Sequence, residues 1–256
     1  MWERETPYEL LRMKGAITAV LFKSGKLLLQ GKDGAVEKAR KMLISEGYAE
    51  QKKVMFVKET GIIIGSDECL KGDTFGGLVV AAVKADDSIR EKLLLLGAQD
   101  SKKVKDKDIP ELAAAIEQCS DHVVKSIYPE EYNHHAQTAL LNNLHMECAE
   151  LLLGKASQGM PQVKVTHVID KYPGCAVGDI RTTHAEDKYV EVAAASILAR
   201  NEGLKQLQML SSSLGYPVPK GSTHVKDGLL FLKNSGKDPK QFVKMHFRNV
   251  QEVIGF

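Results

Sequence analysis

The front of the chain carries an alternation of apolar and polar residues that predicts a β-hairpin followed by a helix. The predicted strands are residues 17–22 and 27–30, and the connection between them contains Gly25, which accepts the positive φ of a tight turn. Apolar residues then recur at helical spacing over residues 34–43. We expect this part of the chain to end at a domain boundary within residues 46–58.

The rest of the chain alternates apolar runs of strand length with longer helical patterns. The run at residues 61–67 is rich in isoleucine and bounded by glycine, which is typical of a buried strand. A short glycine-containing connection leads to the run at 78–83, which we expect to be its antiparallel partner. Two further strands are predicted at residues 122–128 and 163–170.

Helical spacing of apolar residues predicts three helices in the same region, at residues 109–118, 136–153 and 186–210. The second of them carries an apolar stripe made of Leu140, Leu144, Cys148 and Leu151. Strands that alternate with helices imply an α/β fold in which helices cover both faces of one sheet.

Composition favours a soluble protein and argues against two common kinds of site. Of the 256 residues 43% are hydrophobic, but no apolar run approaches the roughly 20 residues that a membrane helix requires. The first residues include acids where a secretion signal has a basic start, so we expect a cytoplasmic protein that does not act at a membrane. The four cysteines are too scattered to indicate a zinc site or a disulfide framework.

The net charge of +2 is distributed unevenly along the chain. Residues 1–55 hold 11 basic and 7 acidic side chains, whereas residues 56–256 hold 24 and 26. A basic front part joined to a slightly acidic body suits a module that holds nucleic acid beside one that binds metal. The end of the chain is again basic, with Lys237, Lys240, Lys244, His246 and Arg248.

Carboxylates occur where the predicted strands end. Asp67 and Glu68 follow the first apolar run, and Asp170 ends another. A fourth acid, Glu186, opens the third predicted helix. Sites in α/β sheets gather beyond the carboxyl ends of strands, and a set of carboxylates suits Mg²⁺ or Mn²⁺. Two such ions can activate a water and hold the leaving oxygen of a phosphodiester. Considered alone, the first two acids also fit a solvated acidic turn.

The sequence of residues 64–83, IGSDECLKGDTFGGLVVAAV, resembles the first motif of the type 2 ribonucleases H and is most similar to that of ribonuclease HIII. Three later blocks resemble the family in order and spacing. They are Asp-Ser-Lys-Lys at residues 100–103, the strand at 168–170, and residues 184–200, which contain the fourth acid. That acid is a glutamate, as in ribonuclease HIII.

The front hairpin also resembles this family. Residues 21–26, Leu-Phe-Lys-Ser-Gly-Lys, and residues 30–32, Gln-Gly-Lys, are similar to the hairpin of its N-terminal TBP-like domain. The resemblance implies a short TBP-like α+β substrate-binding module at residues 1–55. It also implies a ribonuclease H-like catalytic domain at residues 56–256, built on a mixed sheet with helices on both faces.

The resemblance implies endonucleolytic hydrolysis of the RNA strand of RNA/DNA hybrids by a two-metal mechanism with Mg²⁺ or Mn²⁺, leaving 5′-phosphate and 3′-hydroxyl ends. The catalytic residues and metal ligands would be Asp67, Glu68, Asp170 and Glu186. The substrate-binding residues would be Lys23, Ser24, Lys26, Gln30, Lys32, Leu70, Lys71, Gly72, Ser101, Lys102, Lys103, His184, Lys188 and Ser196. The partner would be the hybrid duplex, and we expect the protein to be a monomer.

Two residues depart from the family pattern. Leu70 replaces a glycine in the loop Glu68–Gly72, which we expect to face the substrate 2′-hydroxyl, and a branched side chain there hinders close approach of the backbone. His184 stands where the family usually has a lysine. Two alternatives stay open: ribonuclease HII-like cleavage at single embedded ribonucleotides, and a catalytically inactive hybrid-binding protein.

Overall fold

The computed structural model describes residues 2–3, 8–23, 25, 27–48, 56, 61–98, 101–154 and 164–255. The chain divides into two compact units, Met1–Lys53 and Val54–Phe256. Over the described residues, no helix is both long enough and apolar enough to span a membrane.

Over its described residues, the first unit is a four-stranded antiparallel sheet with one helix. Its strands, hydrogen-bonded in sequence order, are β1 (Trp2–Glu3), β2 (Glu9–Lys14), β3 (Ile17–Phe22) and β4 (Leu27–Gly31), and its helix is α1 (Asp33–Ser45). The predicted hairpin is confirmed, and Gly25 in its turn has a φ of +80°. The pattern missed β2 because that strand carries polar residues along an almost fully exposed stretch.

The second unit contains a five-stranded mixed sheet. Its strands are β5 (Ile62–Cys69), β6 (Leu78–Ala85), β7 (Asp121–Ile127), β8 (Val165–Asp170) and β9 (Ile180–Thr182). The strand order is β7-β6-β5-β8-β9. The pairs β5–β6 and β6–β7 are antiparallel, as the short connection after residue 67 predicts, whereas β5, β8 and β9 run parallel.

Helices and three short 3₁₀ turns connect these strands. The helices are α2 (Asp87–Leu95), α3 (Ile109–Cys119), α4 (Pro129–Tyr132), α5 (Gln137–Gly154), α6 (Val190–Leu214), α7 (Lys226–Asn234) and α8 (Arg248–Ile254). The 3₁₀ turns are Ser101–Lys103, Ala185–Asp187 and Pro239–Gln241.

Strand β6 shows why helices cover both faces of the sheet. Successive side chains of a strand point to opposite faces. On one face Val79, Ala81 and Val83 join the apolar cluster that contains the small side chains of α6. On the other face Leu78, Val80 and Ala82 join the cluster that contains α5. The predicted α/β architecture is therefore confirmed.

Helix α6 approaches β5 closely because residue 65 is glycine. A Cβ atom built at Gly65 would lie 2.4 Å from the backbone of both Glu191 and Val192, a separation that real Cβ atoms do not show. Close contact of this kind fixes the depth at which α6 lies on the sheet.

Three details of the predicted elements are wrong. Strand β5 extends to Cys69 because β6 continues to pair with it beyond Asp67. Glu186 does not open the long helix but lies in a 3₁₀ turn, and α6 begins only at Val190. In α5 Leu151 is 48% exposed, and Leu152 completes the buried stripe because it follows the earlier members at a spacing of four.

Candidate active site

Strand alternation sends two adjacent acids to opposite faces of the sheet. Asp67 lies opposite Ala81, on the face covered by α6, and Ser196 of that helix lies beside it. Glu68 lies opposite Val80, on the face covered by α5. Both residues lie close to the end of β5, and there both line the same cavity although they point to opposite faces.

The parallel pairing of β5 and β8 brings a third acid to the same edge of the sheet. Asp170 is the last residue of β8, and its Oδ1 accepts a hydrogen bond of 3.1 Å from the backbone of Ala185. That bond ties β8 to the 3₁₀ turn that carries Glu186, which is only 4% exposed. The Oε1 atom of Glu186 lies 3.8 Å from Lys102 Nζ.

The acidic edge opens onto a cavity of about 450 Å³. Asp67, Glu68 and Asp170 line it, together with Lys102, whereas Glu186 stands behind that lysine. The structure therefore brings three of the four predicted acids to one cavity and places the fourth beside it.

The two adjacent carboxylates differ in their electrostatics. Burial, followed by the negative charge of Glu68, raises the pKa of Asp67 well above its ordinary value. Burial opposes the charge of Glu68 as well, but His145 and Lys71 outweigh it and lower the pKa of Glu68. The ammonium of Lys71 contacts Glu68 Oε1 and lies 5.1 Å above the ring of Tyr172.

A buried polar relay stands behind Glu68. The hydroxyl of Ser66 lies 2.8 Å from His145 Nδ1 and 2.8 Å from His167 Nε2. The other ring nitrogen of His145, Nε2, lies 3.5 Å from Glu68 Oε2. A proton on Nε2 leaves Nδ1 to accept from the Ser66 hydroxyl, which in turn accepts from His167. Burial and then the neighbouring His145 lower the pKa of His167 to about 4, so this ring is neutral at physiological pH.

The sequence pattern alone does not reveal this relay. The available signal was a histidine on the apolar stripe of a helix, since His145 is fully buried between Leu141 and Ala149 of α5. A polar side chain in such a position needs a partner, which is a reason to search for one.

The 3₁₀ turn Ser101–Lys103 contributes Ser101 and Lys102 to the lining of the cavity. The hydroxyl of Ser196 on α6 donates to Ser101 Oγ at 2.7 Å, and the guanidinium of Arg200 donates to the Ser101 carbonyl. Lys103 donates to Asp187 at 2.5 Å, while the side chain of Lys102 is 79% exposed. The turn is therefore held in place by α6 while Lys102 stays accessible to a ligand.

Leu70 adopts a backbone conformation that favours glycine. Its φ is +67°, one of two positive values among the described residues other than glycine, and such a conformation costs about 1–2 kcal/mol. The side chain is only 4% exposed and packs in the core beside Gly76 and Gly203. The branched side chain therefore packs in the core, and Leu70, Lys71 and Gly72 all line the cavity.

The remaining predicted substrate residues lie elsewhere. His184 is exposed with a φ of +55°, and Lys188 donates to Thr182 Oγ1 and Thr183 O; neither is among the described residues that line the cavity. Three further residues, Lys23, Gln30 and Lys32, are exposed on the first unit. Ser24 and Lys26 lie outside the described residues.

The chemistry of the acidic edge fits hard divalent cations. All four donors are carboxylates, Asp67 is held in surroundings that disfavour its charge, and Glu68 Oε2 is buried with no hydrogen bond closer than the 3.5 Å contact to His145. Within the described parts of the chain, no three histidine, cysteine, aspartate or glutamate side chains are already gathered as a metal-ligand group. Binding therefore requires the carboxylates to exchange present partners, such as Lys71 on Glu68 and the Ala185 amide on Asp170.

A mixed sheet with carboxylates at the ends of two parallel strands, facing basic side chains across a cavity, defines a metal-dependent hydrolase of phosphodiesters. The family model described as Ribonuclease HII matches residues 64–250. Ribonuclease HIII of Aquifex aeolicus is 33% identical over 248 residues, covering 94% of this chain and 88% of the relative. Ribonuclease HIII of Protochlamydia amoebophila is 34% identical over 260 residues, covering 94% and 85%.

A solved structure agrees with these sequence relatives. Bst-RNase HIII in complex with Mn²⁺ superposes with a TM-score of 0.68 and 27% identity, covering 98% of this chain and 90% of that one. The chain belongs to the type 2 ribonuclease H family, in its ribonuclease HIII branch. It is a metal-dependent endoribonuclease of a family that uses Mg²⁺ or Mn²⁺.

Proposed function

We propose that this protein hydrolyses the RNA strand of RNA/DNA hybrids at the edge formed by Asp67, Glu68 and Asp170. The observation that carries the proposal is the convergence of these three acids, from two parallel strands, on one cavity that Lys102 also lines. Cleavage is endonucleolytic and leaves 5′-phosphate and 3′-hydroxyl ends.

The metal ligands in this proposal are Asp67, Glu68, Asp170 and Glu186. When bound, the divalent cations supply an activated water and neutralise charge on the scissile phosphate. The chain itself sets the ligand charges: the surroundings of Asp67 disfavour its anion in the absence of a cation, and His145 keeps Glu68 ionised. A hard cation relieves the repulsion between the two neighbouring carboxylates.

Residues on both sides of the cavity position the substrate. Lys102, and Lys71 once released from Glu68, are the cations placed to contact phosphates. The backbone of the loop Glu68–Gly72 faces the cavity and is our candidate for contact with the 2′-hydroxyl, the group that distinguishes RNA from DNA. Ser101 and Ser196 line the same cavity and are hydrogen-bonded to each other, and Lys103 contributes through Asp187.

The first unit contributes to binding of the duplex. We assign residues 1–55 to substrate binding and residues 56–256 to catalysis. Support comes from the excess of basic side chains in the front part and from the exposed positions of Lys23, Gln30 and Lys32 on its hairpin. We further propose that the protein acts as a cytoplasmic monomer.

The decisive experiment compares two duplexes of one sequence, a continuous RNA/DNA hybrid and a DNA duplex with a single embedded ribonucleotide. Each is incubated at equal concentration in Mg²⁺, in Mn²⁺ and in EDTA, and the end groups of the products are identified. We expect cleavage only with metal and faster on the hybrid, because recognition is spread over several 2′-hydroxyls and the shape of the hybrid.

Each alternative predicts a different result in the same assay. Equal rates on both duplexes would replace this proposal with ribonuclease HII-like junction cleavage. Binding of the hybrid without cleavage in either metal would identify a catalytically inactive hybrid-binding protein.

A further inference from the structure

Lys244 belongs to the basic end of the chain, yet its side chain is completely buried. Burying an ammonium is costly unless its three N–H donors find acceptors. Here Nζ donates to the carbonyls of Leu70 at 2.8 Å, Asp73 at 2.6 Å and Gly76 at 2.8 Å. Each donor of the ammonium therefore has one backbone acceptor.

All three acceptors belong to residues 70–76, the 70–76 loop, which directly follows the acid-bearing strand β5. Three of the seven carbonyls in this loop accept hydrogen bonds from the same ammonium, so the loop curves around Nζ. The strained residue Leu70 is part of this path, because its left-handed backbone helps turn the carbonyl toward Lys244. The hydrogen bond from Lys244 to Leu70 thus helps to offset the cost of the left-handed conformation of Leu70, which a glycine would adopt without strain.

The segment around Lys244 reinforces the same loop. The backbone amide of Lys244 donates to Thr74 O at 3.1 Å, and the amide of Gly76 donates to Phe242 O at 3.0 Å. Phe75 and Val243 form an isolated antiparallel bridge. The loop is therefore paired with the C-terminal segment like a short strand.

Aromatic rings enclose the ammonium from the other side. Nζ lies 5.3 Å from the centre of the Tyr132 ring and 5.5 Å from that of Phe247, and ring faces attract cations. Burial lowers the pKa of Lys244 to about 7, despite the favourable charge of Asp73. The charged form of Lys244 therefore carries a desolvation cost, which its three hydrogen bonds offset in part.

We propose that Lys244 is a positioning residue for ribose recognition: its three hydrogen bonds fix the 70–76 loop so that the backbone of Leu70, Lys71 and Gly72 presents a constant surface to the 2′-hydroxyl. This inference rests on the proposed function of the loop Glu68–Gly72. Lys244 acts through the backbone of that loop. It affects substrate selectivity although it belongs to a segment far from the acids in sequence.

The test uses the full chain and the variant Lys244→Met, which keeps an unbranched side chain of similar length but has no donors. Two ratios are measured. The first is the dissociation constant of a DNA duplex divided by that of an RNA/DNA hybrid of the same sequence, both in EDTA. The second is kcat/KM for the continuous hybrid divided by kcat/KM for a single embedded ribonucleotide, in Mg²⁺. A loss of folded protein lowers every activity but leaves both ratios unchanged.

The matched control is Lys237→Met, because Lys237 is exposed and donates to a single carbonyl, that of Ser213, at 2.7 Å. We expect the first ratio to fall by about tenfold in Lys244→Met, since small displacements of positioning groups cost factors of this size. The second ratio should rise, because a single embedded ribonucleotide offers the displaced loop one 2′-hydroxyl whereas the hybrid offers several. The control keeps the wild-type ratios. In Lys244→Arg both changes are smaller, because a planar guanidinium keeps the charge but cannot aim at three carbonyls around one point.

Ratios within twofold of wild type in Lys244→Met would overturn the proposal. If that variant does not fold, the same criterion applies to Lys244→Arg. Failure of the wild-type protein to cleave the hybrid would instead overturn the proposed function. A selective wild type with unchanged ratios in the variant removes only the role of Lys244.

Discussion

Asp67 and Glu68 are neighbours in sequence, but their surroundings shift their pKa values in opposite directions. Alternation along β5 directs one toward α6 and the other toward α5, so each meets a different set of partners. The acids themselves were predictable from the sequence, because carboxylates that follow a buried strand need a reason to be there. Lys244 was not, since a lysine in a basic segment gives no sign that its side chain is buried.

The substitution Asp67→Asn tests the acid whose charge is least compensated. We expect cleavage to fall by at least about 100-fold, equivalent to roughly 2.7 kcal/mol of barrier. The melting temperature without added metal stays equal to that of wild type or rises, because a disfavoured charge has been removed. Added Mn²⁺ raises the melting temperature less than in wild type.

The control for this substitution is Asp121→Asn, which removes an exposed acid paired with Lys84 at the start of β7. Its activity and its response to Mn²⁺ should match those of wild type. Near-normal cleavage by Asp67→Asn would contradict the assignment of the acidic edge.

His167 makes the stability of the folded protein depend on pH in the acid range. Its pKa is about 4 in the folded protein because of burial, against an ordinary value near 6.5. Between these two values the unfolded chain binds a proton that the folded chain does not, so stability falls as the pH is lowered from about 6.5 to 4. In His167→Gln this loss should shrink by up to about 3 kcal/mol, measured by urea unfolding at several pH values. An equal loss in both proteins would exclude this origin.

The apolar spacing of α5 predicts how the helix packs but not which contacts its polar side chains make. The spacing of Leu140, Leu144 and Cys148 correctly predicted a helix packed on the sheet. The pattern could not show that His145, on the same buried side, points at Glu68 Oε2 from 3.5 Å, because that contact depends on the register of β5 beneath the helix. Turn geometry was missed for a related reason: the left-handed residue His184 precedes the 3₁₀ turn that holds Glu186 apart from α6.

The substitution His145→Gln tests the contribution of α5 to the metal site. We expect the affinity for Mn²⁺ to fall about 10–100-fold, the usual cost of removing a group that orients a metal ligand. Binding is measured by electron paramagnetic resonance of free Mn²⁺ and by the Mn²⁺-dependent rise in melting temperature. The control is His122→Gln on β7, because the His122 ring contacts the backbone there, with Nδ1 3.1 Å from the Ser120 carbonyl oxygen. Wild-type Mn²⁺ affinity in His145→Gln would show that the contact is incidental.

At the scale of the whole molecule, the distribution of charge and the hydrophobic pattern both predict a chain of two parts. The chain does divide into two compact units, and the second contains the mixed sheet and the acidic edge. The pattern predicted the hairpin β3–β4 but not the other two strands of the first unit, since β1 has only two residues and β2 is exposed over most of its length.

The combined substitution of Lys23, Lys26 and Lys32 by alanine tests the role of the first unit. If each contacts a phosphate, the slope of log K against log salt becomes shallower by about 2–3 units, at roughly 0.9 per contact as for B-DNA. Turnover at saturating substrate changes little. The control replaces three exposed lysines of the second unit, Lys92, Lys226 and Lys237, and alters net charge equally. Identical slopes for the two triple variants would place the binding surface elsewhere.

The bond between Lys244 and Asp73 joins residues that are 171 positions apart. Closing so long a stretch of chain carries a large entropic cost, and contacts of high sequence separation form late in folding. The hairpin of β5 and β6 needs only local pairing, so the first two acids can reach their strand positions early. The selectivity proposed for Lys244 therefore depends on a long-range chain closure that the strand positions of Asp67 and Glu68 do not need.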